Sequence, residues 1–321
     1  MTITAAVDRW NPSPVIITTA AEIIRAGGLV AFPTETVYGL GADALNPEAV
    51  SRIFTAKGRP QDNPLILHVH SIAQASNLTV MNGTARKLAE TFWPGPLTLV
   101  LPAKETVPSA TRGGLDTAAV RMPDNPTALA LIQASDTAIA APSANLSGRP
   151  SPTDSETVLH DMAGRIDMIL DGGSTGVGIE STVIDLTDPE RPLMLRPGGM
   201  PREIIEAELG LTLEVPDSVS KKRSPGTRYR HYAPSVPVRI WRRGGGLLPE
   251  NCAYMGMNIP GNADMSRAII FTSAENYAHG LFAGFRKLEA ENVSCIAVEW
   301  PEDSSGISEG LRDRISRAAG K

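Results

Sequence analysis

Cysteine is nearly absent from this 321-residue chain. Cys252 and Cys295 are too few for a disulfide framework or a zinc site, and their scarcity fits a reducing compartment. Positive charge is short as well. Thirty Lys and Arg stand against 35 Asp and Glu, a formal net charge of −5, which argues against a dedicated non-specific nucleic-acid binder. No apolar run approaches the length needed to cross a bilayer, and the opening MTITAAVDRWNPSP lacks the basic start and apolar core of a secretory signal. A cytoplasmic protein without membrane contact is therefore expected. The common phosphate-binding signatures, Walker A and GxGxxG, are missing, so any bound nucleotide needs another loop architecture. Histidines and carboxylates are not paired at metal-ligand spacing, so no protein-held metal is expected. An ion carried in on a phosphate ligand would leave no such mark.

What remains is the make-up of a globular protein, 42% hydrophobic and 20% charged, long enough to predict two domains. The densest information lies between Gly27 and Val69, which reads GGLVAFPTETVYGLGADALNPEAVSRIFTAKGRPQDNPLILHV. Gly27 and Gly28 stop a helix over 20–26, and Leu29 to Phe32 is a short apolar strand broken by Pro33. Thr34, Glu35, Thr36 and Tyr38 make a polar turn, followed by Gly39 and Gly41, where a backbone can approach a ligand closely. Asn46 and Pro47 open a helix as cap and first-turn proline. Val50, Ile53 and Phe54 share its apolar face, and Lys57-Gly58-Arg59 ends it. Pro64 then introduces a strand, Leu65 to Val69, that carries His68.

Downstream the pattern predicts strands at 97–101, 118–122, 138–141, 168–170, 183–186 and 193–196. Helices over 84–92, 125–134, 153–163 and 201–209 are interspersed among them, with Thr153 and Glu156 at capping-box spacing. This interspersion implies an α/β sheet, and several strand-to-strand steps too short for a parallel crossover make it mixed. Residues 1–212 are assigned to this first domain. The polar, basic, proline-broken SKKRSPGTRYRHYAP falls in a linker or lid at 213–235. A smaller α/β domain fills 236–321, with strands at 236–241, 268–272 and 295–299 and helices over 275–291 and 307–319.

Four cations, Lys57, Arg59, Arg121 and Arg196, stand at the ends of predicted elements. Each alone has an ordinary reading as a helix-dipole partner or a surface ion pair. Ser143, Asn145 and Ser181 join them in loops near strand ends, where α/β proteins gather ligands. Four cations with neutral donors suit a polyanion such as a nucleoside triphosphate. His68 on a strand is more often a packed core residue, but Asn63-Pro64 just before it raises a functional reading. The basic loop reads either as a solvated linker or as a lid in which Arg228, Arg230, His231 and Tyr232 fold over phosphates. Gly172-Gly173-Ser174-Thr175-Gly176 matches G-x-S-x-G, yet no helix pattern follows it, as a nucleophile elbow requires.

Taken in order, FPTETVYGLG, the KxR of Lys57 and Arg59, DNPLILHV, WPGPLTLVL, GLDTAAVRMP, APSANLSGRPSPT, GIESTVIDL, LRPG, SPGTRYRHYAP and NYAHGLFAGFRKLE carry a resemblance. The chain closely resembles the threonylcarbamoyl-AMP synthases, in the long form with a YrdC-like domain and an appended C-terminal domain. The resemblance implies a twisted mixed sheet around a large, positively lined cavity, followed by a small Rossmann-like α/β domain. It also implies a nucleotidyl transfer: L-threonine, bicarbonate and ATP, with Mg2+ accompanying the ATP, give threonylcarbamoyl-adenylate and pyrophosphate. A separate complex would then pass the threonylcarbamoyl group to tRNA, so no stable nucleic-acid binding by this chain is expected. By the same resemblance, Lys57 and Arg59 are the catalytic cations. Thr34, His68, Arg121 and Ser181 would hold threonine or its carbamate. Lys57, Arg59, Asn63, Thr111, Ser143, Asn145, Arg196 and Tyr232 would hold the nucleotide. Two competing readings are a double-stranded-RNA-binding module, against which the acidic balance speaks, and the carbamoyl-adenylate chemistry of hydrogenase-maturation proteins. The latter carry acylphosphatase-like and zinc-finger segments that this chain lacks.

Overall fold

The computed structural model describes residues 1–217, 220–224 and 232–320. Its first ten strands are β1 (Ile3–Ala6), β2 (Val30–Phe32), β3 (Gly39–Asp43), β4 (Ile66–His68), β5 (Leu97–Pro102), β6 (Thr117–Arg121), β7 (Ile139–Ala140), β8 (Met168–Asp171), β9 (Thr182–Asp185) and β10 (Leu193–Arg196). They form one sheet in the order β1-β8-β2-β3-β7-β4-β6-β5-β9-β10. The sheet is mixed: β4 runs parallel to β6 and β5 to β9, whereas β2–β3, β5–β6 and β9–β10 are antiparallel. Eight helices accompany it: α1 (Pro14–Arg25), α2 (Pro47–Lys57), α3 (Ile72–Leu78), α4 (Gly83–Phe92), α5 (Ser109–Arg112), α6 (Pro126–Ser135), α7 (Ser155–Met162) and α8 (Arg202–Leu209).

Local chemistry sets these boundaries. Asn46 caps α2 by accepting from the backbone N–H groups of Glu48 and Ala49, Pro47 occupies its first turn, and Gly58 ends it at φ 60°. Val50, Ile53 and Phe54 of α2 enter the core on one face of the sheet. On the other face, Ile17, Ala20 and Ile24 of α1 and Leu131 and Ile132 of α6 pack against Val30, Phe32 and Ile139. One expectation needs correction at α7: its cap is Asp154, which accepts from the Thr157 N–H, rather than Thr153. Gly41 also differs from its reading as a point of close ligand approach. It lies in β3, and a methyl there would meet Phe32 and Ile139 side chains at 2.8 Å, so this glycine lets neighbouring core side chains close over the strand. No helix follows Gly176 directly; the next element is β9, which removes the nucleophile-elbow reading.

The second unit comprises β11 (Val238–Trp241), β12 (Cys252–Gly256), β13 (Ala268–Ile270), α9 (Ala274–Glu289), β14 (Cys295–Glu299) and α10 (Ser308–Ala318). Its four strands form a parallel sheet in the order β11-β14-β12-β13. Strand β12 escaped the sequence reading. Its register sets Cys252 opposite Cys295, and the two form a cross-strand disulfide that the low cysteine count had not suggested. The core of this unit takes in Val37 and Ile179 from the first unit together with Tyr232, so the two share apolar burial.

Close backbone approach marks that junction. Gly310, inside α10, lies so near the first unit that a methyl there would sit 2.8 Å from the Gly198 carbonyl and 2.9 Å from Ile179. Alanine would gain about 1 kcal/mol of helix propensity at such a position. Overpacking against a backbone that cannot swing aside costs about 1–3 kcal/mol. Gly310→Ala is therefore expected to lower the thermal midpoint, while Gly83→Ala, at the open start of α4 with no atom within 4 Å, should not. Thermal denaturation of both variants checks this, and a stabilised Gly310→Ala would contradict the tight junction.

Candidate active site

The strand ends of the first sheet surround a cavity. Thr34 and Thr36 line it from the β2–β3 turn, Gly39 from the start of β3, and Arg59 from just beyond α2. His68 and Arg121 end β4 and β6, whose parallel register places them side by side. Ser143 follows β7, Glu180 and Ser181 precede β9, Arg196 ends β10, and Tyr232 closes a wall from the segment before the second unit.

The guanidinium groups are held in place by specific acceptors. Arg121 donates from Nη1 to Thr36 Oγ1 at 3.0 Å and from Nε to the Gly95 carbonyl at 3.2 Å. Its Nη2 lies 2.5 Å from Glu35 Oε2, although the approach angle makes this a charge contact rather than a hydrogen bond. Thr34 spends its one proton on the Val37 carbonyl at 2.7 Å, so at 2.9 Å it is Thr36 that donates to Thr34. Arg196 donates to the Ser181 carbonyl from Nε and Nη2, at 3.2 and 2.9 Å, and from Nη2 to Ser181 Oγ at 3.2 Å. Thr98 Oγ1 stands 2.8 Å from that same Ser181 hydroxyl. Burial pushes the Arg196 pKa below its ordinary value. Burial first, then the neighbouring Arg121, pushes His68 down to about 3, so its imidazole is neutral at physiological pH. Nδ1 of His68 has no hydrogen-bond partner among the described residues.

Four expected site residues stand behind the wall instead of in it. Lys57 is buried, and its Nζ donates to the backbone carbonyls of Ser143 and Asn145, the latter at 2.6 Å. Burial, then Arg59, pushes its pKa well below the usual lysine value. Asn145 Oδ1 accepts from Ser143 Oγ at 2.6 Å, and its Nδ2 donates to the Leu146 and Arg149 carbonyls, both at 2.8 Å. Thr111 donates to the Ala44 carbonyl at 2.7 Å. Asn63 is fully buried, with no partner for its amide among the described residues. Of the lid, Arg228, Arg230 and His231 lie outside the described residues. Tyr232 is described, lines the cavity and stacks on Phe282 of α9 at 5.3 Å.

Sequence reasoning missed two carboxylates, Glu180 in the cavity wall and Glu35 against Arg121. Glu35 faces Arg121, and Glu180 accepts from Arg314 Nε of α10 at 2.6 Å and from Ser151 Oγ at 2.5 Å. Burial pushes the Glu180 carboxyl up, but Arg314, Arg196 and the Ser151 hydroxyl outweigh it and hold the pKa below the ordinary value. Both glutamates lie inside the motifs PTET and GIEST, yet nothing local discloses that each has an arginine partner.

Two family models match the chain. One, Sua5/YciO/YrdC, described as "Telomere recombination", covers residues 22–198. The other, described as "Threonylcarbamoyl-AMP synthase, C-terminal domain", covers 200–320. The threonylcarbamoyl-AMP synthase of Pyrococcus abyssi (strain GE5 / Orsay) is 45% identical, over 98% of this chain and 95% of its own. The chain belongs to the threonylcarbamoyl-AMP synthase family. A second member, from Bacillus subtilis (strain 168), is 42% identical over the same shares of each chain. The crystal structure of P. abyssi Sua5 complexed with L-threonine superposes with a TM-score of 0.91 at 43% identity, covering 99% of this chain and 98% of its own. E. coli YciO matches 62% of this chain and 96% of its own, with a TM-score of 0.58 and 29% identity. The expected family fold, a large mixed sheet followed by a small α/β unit, is thus present.

The neutral His68 has a consequence for stability in this family member. Between its unfolded value near 6.5 and its native value of about 3, the unfolded chain binds a proton that the native protein refuses. Stability therefore falls as pH drops through that window. His68→Gln removes this contribution, so the thermal midpoint of wild type should decline relative to that of the variant from pH 7 to pH 4. A midpoint difference independent of pH would mean that His68 titrates normally.

Proposed function

We propose that this chain makes threonylcarbamoyl-AMP and pyrophosphate from L-threonine, bicarbonate and ATP, as a cytoplasmic nucleotidyltransferase that supplies a tRNA-modifying complex. The observation that carries this reading is the convergence of Arg59, His68, Arg121, Ser143, Ser181 and Arg196 on one cavity, in a chain matched end to end by family members. The division into a catalytic domain at 1–212, a lid at 213–235 and a C-terminal domain at 236–321 belongs to the same proposal.

The chemistry asks for alignment and charge neutralisation instead of a covalent nucleophile. Threonine's amine combines with bicarbonate, losing water, to give a carbamate. A carbamate oxygen then bonds to the α-phosphorus of ATP as the bond from that phosphorus to the β-phosphate oxygen breaks, and pyrophosphate leaves. In this reading Arg121 takes the amino-acid carboxylate, while Thr34, Ser181 and the neutral His68 offer polar partners to its hydroxyl and carbamate. Arg59, Arg196 and Ser143 meet the phosphates, and Tyr232 borders the nucleotide. Lys57 acts through the loop it holds, with its ammonium fixing the carbonyls of Ser143 and Asn145. Asn63, Thr111 and Asn145 shape the nucleotide side from behind. Mg2+ would arrive with ATP and draw its ligands from phosphate oxygens and water, because Glu35 and Glu180 already face arginines.

Pyrophosphate release measured with each substrate omitted in turn tests the reading. Turnover should require threonine, bicarbonate and ATP together. Arg121→Gln should raise the threonine KM at least about tenfold, as expected for losing one partner of a buried charge pair. L-valine should be used with a kcat/KM lower by roughly a thousandfold or more, since a site built for a hydroxyl leaves polar groups unpaired with an isostere lacking it. Equal rates with valine, or turnover without bicarbonate, would contradict the proposal.

A further inference from the structure

Glu180 poses a problem for a cavity that receives a triphosphate. Its carboxylate sits in the wall beside Arg196 and Ser181 and is ionised, so on its own it would repel phosphate oxygens at short range with little water between. The side chain that answers it comes from the other unit. Arg314 is fully buried. Besides its 2.6 Å bond to Glu180, it donates from Nη1 to the carbonyl of Pro197, the neighbour of Arg196, at 2.9 Å. Its guanidinium lies 5.3 Å from the centre of the Tyr232 ring, and Asp313 Oδ2 accepts from it at 2.7 Å. One side chain thus reaches Glu180 and Tyr232 of the cavity wall and the backbone next to Arg196. Packing α10 against the first unit would need only apolar residues, and a buried guanidinium is a costly substitute for them.

We propose that Arg314 is a positioning residue of the nucleotide site: it takes up the Glu180 carboxylate so that the cavity presents net positive charge to ATP. The inference rests on the ATP-dependent reading above, and it gives the C-terminal unit a defined part in that site. Around Glu180 stand Arg314 and Asp313 from α10, Arg196 from β10, Lys57 from α2, Tyr232, and the Ser151 hydroxyl. Among the described residues, Arg314 is the cation bonded to the carboxylate, while Arg196 is engaged with Ser181 and Lys57 with the loop carbonyls. With Arg314 gone, burial would drive the Glu180 pKa upward, and below that value the wall would again be neutral.

ATP binding and the ATP KM for pyrophosphate release are to be measured in wild type, Arg314→Gln, Arg314→Lys, Glu180→Gln and the double variant E180Q/R314Q. Arg314→Gln should weaken ATP about ten- to hundredfold, with a smaller change in the threonine KM. Its defect should shrink as pH falls from 8 to 6, where wild type shows no such recovery. Arg314→Lys should restore part of the affinity. Glu180→Gln and the double variant should bind ATP within a few-fold of each other, because a neutral residue 180 leaves Arg314 nothing to mask. That last comparison stands even if Arg314→Gln alone fails to fold. Wild-type ATP affinity in Arg314→Gln, or a double variant much weaker than Glu180→Gln, would overturn the proposal. Wild-type protein that releases no pyrophosphate from ATP with threonine and bicarbonate would instead overturn the functional reading beneath it.

Discussion

Charge buried around one hollow is the constraint from which the rest of this structure follows. Lys57, Arg59, Arg121, Arg196 and Arg314 are each at most 7% exposed. Removing such groups from water costs several kcal/mol per ion unless acceptors replace the lost hydration. Many of the replacements are backbone carbonyls: Ser143 and Asn145 for Lys57, Gly95 for Arg121, Ser181 for Arg196, Pro197 for Arg314. A carbonyl fixes a cation's position without cancelling its charge. The field therefore remains available to a ligand, which is what preorganised electrostatic stabilisation requires.

The loops that supply those carbonyls must in turn be rigid, and the fold provides for this at several levels. The parallel pairing of β4 with β6 sets His68 beside Arg121, and the pairing of β5 with β9 carries Thr98 to within 2.8 Å of Ser181. The second unit backs the wall from behind. Phe282 supports the Tyr232 ring, and Arg286 binds Asp161 and the Pro150 carbonyl. The C-terminal unit is therefore part of the cavity's support, joined to it by apolar burial through Val37 and Ile179 as well as by charge.

Much of the architecture was legible in the chain because its signals are local. Asn46-Pro47 and Gly58 bound α2 as cap, first turn and left-handed stop, and the short apolar runs at β5, β6, β10 and β14 became strands. Local signals also misled. Thr153 has capping-box spacing but Asp154, one residue on, offers the better acceptor. Gly41 resembled a ligand approach, yet its missing side chain makes room for Phe32 and Ile139, which are distant in sequence. Eight of the twelve expected site residues line the cavity, because strand ends converge in any sheet of this kind. Whether a cation points into the cavity or back into the loop behind it depends on where a carbonyl from another segment lies. Lys57 meets its two across 86 and 88 residues, and Glu180 meets Arg314 across 134, distances at which no spacing rule operates.

The most direct test is a crystal structure with L-threonine and a non-hydrolysable ATP analogue bound together. The account requires the amino-acid carboxylate on Arg121, the phosphate chain on Arg59, Arg196 and Ser143, and the α-phosphorus facing the threonine amine within one cavity. Ligands seated apart from one another, or a phosphate chain that leaves Arg59 and Arg196 untouched, would contradict it.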